Sequence, residues 1–330
     1  MVKKRILVTG GGLGHIGSKL IREYAKRKDV ELIRILDNLS TQRYPSLFDL
    51  LCGEDIPRYE FIEGDVRDRE DCERACDGID VVLHLAALTD APRTVEKARE
   101  TFDINLAGTL KMVASAINSG VKKFLLASTT SVYGGTEGVV NETSELNMEE
   151  VNKVPYTATR VLAEQSLLYA AKAKLIDGEI LRMGTIFGYS PGMRFHTAVN
   201  RFTWQAITNQ PLTIWADAID QQRPYLALDD AIRAWRFLEK RGESGEVYNV
   251  VTGNYTVRQV VETIQKHLYL RTQDVSNPSP SQIINQRSYS ASAEKIKNLG
   301  FEFKGNLEKS IAETIRHFDG IIPEGIKKYK

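Results

Sequence analysis

Short apolar runs alternate along the first half of the chain with longer stretches in which apolar positions recur every three or four residues. Arg5–Val8 is a run of strand length, followed by a glycine-rich turn and a helical pattern from Ser18 to Arg27. Glu31–Leu36 reads as a second strand, Tyr59–Glu63 as a third and Val81–Ala87 as a fourth. The fourth is almost continuously apolar, as a strand covered on both faces of a parallel sheet should be. Thr94–Asn118 carries one long helical pattern, Lys123–Ala127 is a fifth strand, and a helical run extends from Tyr156 to near Ala173. Gly178–Arg182 reads as a sixth strand. Strands alternating with helices of this length predict an α/β fold built on a doubly wound parallel sheet.

Beyond Gly178–Arg182 the alternation loosens. A Pro/Gly loop (Gly188–Arg194) precedes a helix over His196–Thr208, a strand at Leu212–Trp215, an acid-capped helix over Asp229–Lys240, a strand at Glu246–Val250 and a helix over Val257–Leu268. Arg271–Ser292 is polar, holds Pro278 and Pro280, and reads as an exposed connection. Two short amphipathic helices follow, Ala293–Leu299 and Leu307–Phe318, and the tail from Ile321, with Lys327, Lys328 and Lys330, reads as frayed. The pattern divides the chain into an α/β domain over 1–180, with returning segments near 212–250, and a smaller C-terminal lobe over 181–330.

Composition narrows the classes. The chain has 330 residues, 42% hydrophobic, with Lys+Arg 44 against Asp+Glu 43. That balance gives no basic field for nucleic acid. The apolar runs are of strand length and too short to cross a membrane. The strand pattern starts at Val2, which argues against a signal peptide, and Cys52, Cys72 and Cys76 are too few for a disulfide framework, so a cytoplasmic setting is expected. Cys72 and Cys76 stand at i, i+4 with no histidine nearby and read as helix residues, with no metal implied.

The candidate chemistry begins in the first turn. Gly11, Gly14 and Gly17 sit between a strand and a helix, the context in which glycines let the backbone approach a pyrophosphate at a helix N-terminus. Asp37 ends the second strand about 20 residues on, where a carboxylate takes ribose hydroxyls and repels a 2′-phosphate, which favours NAD over NADP. Arg34 and Arg43 are nearby cations. Asp65 follows the third strand, where a carboxylate could accept from an adenine amino group or simply cap a turn. Leu85, Ala86 and Ala87 end the fourth strand in small residues, and His84 reads as a core histidine. Hydroxyls cluster in Ser128–Ser131 at the end of the fifth strand. Tyr156 and Arg160 share a helix face one turn apart. A phenol is a poor base at neutral pH, and a fixed cation beside it favours the phenolate.

With these residues in place, the chain resembles the extended short-chain dehydrogenase/reductases, in their NAD-dependent nucleotide-sugar epimerase/dehydratase branch. Asp37-Asn38-Leu39-Ser40 is similar to UDP-galactose 4-epimerases in particular. The resemblance also runs through Gly64-Asp65-Val66, Asn105 with Gly108-Thr109, Ser128–Gly134, Leu181-Arg182, Arg223-Pro224-Tyr225 and Tyr248-Asn249-Val250. It implies a Rossmann-type sheet and bound NAD, which makes 1–180 the expected NAD-binding domain and 181–330 the expected substrate lobe. The NAD contacts it implies come from Gly11, Gly14, His15, Ile16 and Gly17, from Asp37, Asn38, Asp65 and Val66, and from Leu85, Ala86, Ala87 and Asn105. Thr129, Tyr156 and Arg160 match the family's Ser/Thr, Tyr and Lys, with arginine where lysine is usual. Arginine keeps the charge but is planar and has more donors. Thr130 and Ser131 replace the Asp-Glu pair of the dehydratases, so common 4,6-dehydration is not expected. Thr185 stands in place of an asparagine that touches the substrate diphosphate, Arg223 matches a diphosphate arginine, and Arg194 and His196 fall in a substrate loop. The resemblance further implies a homodimer through the helices around Thr94–Asn118 and Tyr156–Ala173. The expected activity is epimerisation of a nucleotide-diphosphate sugar through a 4-keto intermediate. A nucleotide-sugar dehydrogenase or reductase, and a non-catalytic NAD-binding protein disabled by Arg160, stay open.

Overall fold

The computed structural model describes residues 3–134, 136–275 and 288–328. Seven parallel strands form its central sheet: β1 (Lys4–Thr9), β2 (Val30–Asp37), β3 (Arg58–Glu63), β4 (Val81–His84), β5 (Lys123–Thr129), β6 (Asp177–Met183) and β7 (Glu246–Val250). Their order is β7-β6-β5-β4-β1-β2-β3, so the chain winds outward from β1 in one direction and then returns to wind in the other. Ligands bind such sheets at the carboxyl ends of the strands where the winding reverses, here between β1 and β4.

Side chains alternate between the sheet's two faces. Ile6 and Val8 enter one core, with helices α1 (His15–Ala25) and Leu228–Arg241 packed over it. Leu7, Val82, Phe124 and Leu126 enter the other, beneath helices Arg69–Cys76, Thr109–Asn118 and Pro155–Lys172. Burial on both faces is why these strands are continuously apolar. A third core, with Phe187, Phe202, Ile214, Val260, Ile264 and Ile311, belongs to the C-terminal lobe. That lobe also has a three-stranded sheet formed by Thr185–Phe187, Gln222–Ala227 and Gly253–Thr256. Strand β7 pairs with β6 at the sheet edge, and Leu212–Trp215 pairs with Thr272–Val275.

Three expectations are corrected. The long helix over Thr94–Asn118 is instead a broken series: Ala91–Glu96, Ala98–Thr101, a π-helical stretch Phe102–Gly108, and then Thr109–Asn118. The first three pieces bury Thr94, Thr101, Asn105 and Gly108 and leave Val95 and Phe102 exposed, so apolar periodicity does not report the breaks. Arg271–Ser292 is not simply an exposed connection. Tyr289–Ala291 pairs with Gly138–Val140, and Tyr289 is buried; Pro278 and Pro280 lie outside the described residues. The tail is not frayed at Ile322 and Ile326, which are buried in the lobe core, and Lys327 bridges to Leu268; Lys330 lies outside the described residues.

Candidate active site

A cavity of about 470 Å³ opens over the ends of β1, β2, β4 and β5. The glycine turn forms its floor. Gly14 donates its N–H to the Gly11 carbonyl at 2.9 Å and opens α1. A Cβ on Gly17 would lie 1.6 Å from the Gly11 carbonyl oxygen, and one on Gly10, whose φ is +52°, would lie 2.2 Å from the Ala86 Cβ. No side chain fits at either place, which brings the backbone of α1 to the cavity wall with its first N–H groups unpaired along the helix. Such a terminus suits an anion. His15, Ile16, Leu85 and Ala87 line the same space.

At the tip of β2, Asp37 lies on the wall and accepts from the Leu39 amide at 2.9 Å. Burial pushes its carboxyl up, while that amide and Arg43 pull it back down. Asn38 donates to Asp65 at 2.7 Å, and Arg67 grips the same carboxylate at 3.0 and 2.8 Å. Burial raises Asp65, but these partners outweigh it and hold the carboxyl at about 2. Val66 lines the wall beside it. The two cations near Asp37 part company. Arg34 turns away to pair with Glu60 and to take the carbonyls of Ala75 and Asp77 at the end of helix Arg69–Cys76. Arg43 faces the cavity.

Thr129, Tyr156 and Arg160 meet at the end of β5. Tyr156 is half-buried in the first turn of Pro155–Lys172. The Arg160 guanidinium carbon lies 5.7 Å from the Tyr156 ring centroid. Arg160 is 2% exposed; one Nη donates to the Ala127 carbonyl at 3.1 Å, and its Nε has no partner within the protein. Thr129 accepts from the Ser131 amide at 3.1 Å. Beneath Arg160, His84 is fully buried, with Nδ1 at 2.6 Å from Thr9 Oγ1 and Nε2 at 3.0 Å from Thr109 Oγ1. Thr109 spends its own proton on the Asn105 carbonyl, so His84 must donate from Nε2 and accept at Nδ1. Burial, reinforced by Arg160, lowers this histidine to about 3, and it stays neutral.

One turn further along the same helix, Glu164 anchors a second network. Arg182 donates to it from Nε at 3.1 Å and from Nη2 at 2.6 Å, and from Nη1 to the Tyr133 hydroxyl at 2.8 Å. Ser128 also donates to Glu164, and Tyr133 donates to Asn249 at 2.9 Å. This lattice ties β5, β6 and β7 to the helix that carries Tyr156.

The remaining predicted residues divide. Thr185, Arg194 and His196 line the cavity. Asn105 is fully buried behind it, clasping the backbone of Leu88 at 2.8 and 3.0 Å. Thr130 points away and receives the Tyr289 hydroxyl on its carbonyl at 3.0 Å. Arg223 is outside the wall, stacked over Tyr289 and donating to Gln221 and Gln222. Sequence reasoning did not foresee on the wall Asp90 and Arg93, which precede the segment that reads as one helix, or Lys97 and Glu100, which sit where that segment breaks. Cys72 and Cys76 are buried in their helix, and burial pushes both thiols up to about 12. Among the described residues no cluster of His, Cys, Asp or Glu could hold a metal, and no helix is long and apolar enough to cross a membrane.

Comparison with known proteins bears on this geometry. The model of the NAD dependent epimerase/dehydratase family matches residues 6–251. The Low-salt glycan biosynthesis protein Agl12 of Haloferax volcanii is 27% identical over 319 residues, covering 96% of this chain and 98% of its own. The dTDP-D-glucose 4,6-dehydratase of Mus musculus is 28% identical over 328 residues, covering 96% and 88%. The UDP-glucuronic acid 4-epimerase from Bacillus cereus, solved with UDP-glucuronic acid and NAD, superposes with a TM-score of 0.83 over 96% of this chain and 99% of that one. At 23% identity that last likeness is one of fold.

Proposed function

Because this chain belongs to the NAD dependent epimerase/dehydratase family and its cofactor is NAD, we propose that it epimerises a nucleotide-diphosphate sugar through a transient 4-keto intermediate. The observation that carries the reading is Tyr156 on the cavity wall with the buried Arg160 guanidinium 5.7 Å from its ring. The glycine turn and Asp37 have the shape and charge to hold the dinucleotide, and the unpartnered Nε of Arg160 offers a donor at the reacting end.

When bound, NAD supplies the hydride acceptor. Tyr156 takes the proton of the C4 hydroxyl as that carbon loses hydride, and the Thr129 hydroxyl steadies the oxygen. Arg160 stabilises the Tyr156 phenolate that accepts this proton, and the phenolate again when the proton is returned. The keto sugar turns, hydride returns to its other face, and Tyr156 gives the proton back. No net oxidation results.

Dehydration is the weaker reading because it needs an acid beside Thr129 to expel a hydroxyl as water. Ser131 is the neighbouring wall residue, and Thr130 is buried against Tyr289. The curated relative that is a 4,6-dehydratase keeps the alternative worth testing. A homodimer belongs to the proposal as well: Val95, Phe102 and Leu110 are exposed on one of the expected helical segments, Leu162 and Tyr169 on the other.

Purified protein incubated with NAD and a panel of UDP-, GDP-, CDP- and dTDP-sugars, followed by proton NMR, tests the reading. A new anomeric signal without NADH accumulation is expected. A 4-keto-6-deoxy product would move the chain to the dehydratases, and stoichiometric NADH would move it to the dehydrogenases. NAD binding without turnover, restored by Arg160→Lys, would favour a non-catalytic protein. Tyr156→Phe is expected to cut turnover roughly 10²–10⁴-fold. A scattering mass of a monomer would refute the dimer.

A further inference from the structure

The lobe reaches back over the glycine turn through residues 188–194. Gly192 is pressed so close that a Cβ on it would lie 2.2 Å from the Leu13 carbonyl oxygen and 2.4 Å from that of Gly14. Its amide donates to Ser18 Oγ at 3.1 Å, and Ser190 Oγ donates to the His15 carbonyl at 2.8 Å. His15 Nε2 closes the other side, 2.7 Å from the Gly188 carbonyl. Burial lowers this ring to about 4, so it is neutral at pH 7 and donates from Nε2 to that carbonyl.

Arg43 comes to the same place from the β2–β3 connection. Its Nη1 donates to the Gly192 carbonyl at 3.2 Å and lies 3.8 Å from where a Gly14 Cβ would be. Arg43 therefore joins the two banks of the cavity, one built by the sheet and one by the lobe. Burial lowers its pKa, and the Arg194 cation lowers it further while Asp37 opposes. Arg194 lies on the same wall and donates to Thr89 at 3.2 Å.

We propose that residues 188–194 and Arg43 form a latch over the glycine turn, and that opening this latch limits both entry and exit of NAD. The inference rests on the function proposed above, because an enzyme with no net redox change gains from retaining its cofactor. Arg43 and Ser190 act as positioning residues for the latch.

Protein loaded with radiolabelled NAD and chased with excess unlabelled NAD gives the exit rate, and mixing the cofactor-stripped protein with labelled NAD gives the entry rate. Arg43→Met is expected to raise both about tenfold, the weight of one charge-assisted hydrogen bond. Ser190→Ala is expected to raise both about threefold, the weight of a neutral one. Unchanged exit from both variants would overturn the latch. Faster exit with slower entry in Arg43→Met would overturn it too, since that is the signature of a lost anion contact. Neither rate involves a sugar or turnover, so the latch and the epimerase reading fail separately.

Discussion

Two buried arginines, 22 residues apart in sequence and joined through one helix, are held in opposite ways. Arg182 has a carboxylate, a phenol and full engagement of its fork. Arg160 has one carbonyl, the face of Tyr156, and an Nε with no partner. Burying a charge is costly unless it is paired. On the function proposed above, the contrast separates a brace from a working group.

Substitutions sharpen that contrast. Arg182→Met is expected to cost about 3–5 kcal/mol of folding stability, because it strands Glu164 as a buried unpaired charge; urea denaturation reads it. Arg160→Met is expected to leave the urea midpoint unchanged or higher, since no acid partner is orphaned, while turnover falls about 10²-fold. An equal loss of stability in both variants would dissolve the distinction. Glu164→Leu combined with Arg182→Met is expected to recover most of the loss seen in the single variant, because both charges leave together. The smallest effect concerns His84, packed under Arg160. Its ring titrates at about 3 in the fold against 6.5 for a free histidine, so the unfolded chain takes up a proton that the fold refuses. Stability is therefore complete above pH 6.5 and is lost progressively as pH falls toward 3. His84→Asn should flatten that slope relative to the parent, as measured by urea midpoints at pH 7 and pH 4.5.

Much of the sheet is readable from the chain because each strand is short, apolar and bounded by a turn whose chemistry is local. Gly14 and Gly17 close on Gly11 within seven residues, so their spacing indicates the turn, whereas Gly11 itself is pressed against the distant Leu85. Tyr156 and Arg160 are one helical turn apart and needed no tertiary information to be set side by side. The lobe is less readable, because its pairings are distant. Tyr289 reaches Thr130 across 159 positions, and no periodicity near Tyr289 reports it. Arg223 shows the same limit: its surroundings depend on Tyr289, and motif position places it at a diphosphate whereas the fold stacks it behind the wall. Arg34 and Arg43 are equivalent as charges near Asp37, and the difference between them is made by helix Arg69–Cys76, whose end claims one of them.

The π-helical stretch Phe102–Gly108 bears on which insertions and deletions this chain can tolerate. Such a stretch is an α-helix carrying an extra residue. Losing one residue there would return the stretch to a regular α-helix with its flanks in place, whereas losing one within the regular helix Thr109–Asn118 would turn everything downstream by about 100°. Chain length is thus more permissive between Phe102 and Gly108 than in the regular turns that follow. A library of single-residue deletions scanned across residues 102–118 should show a smaller loss of folded protein within those seven positions than within Thr109–Asn118.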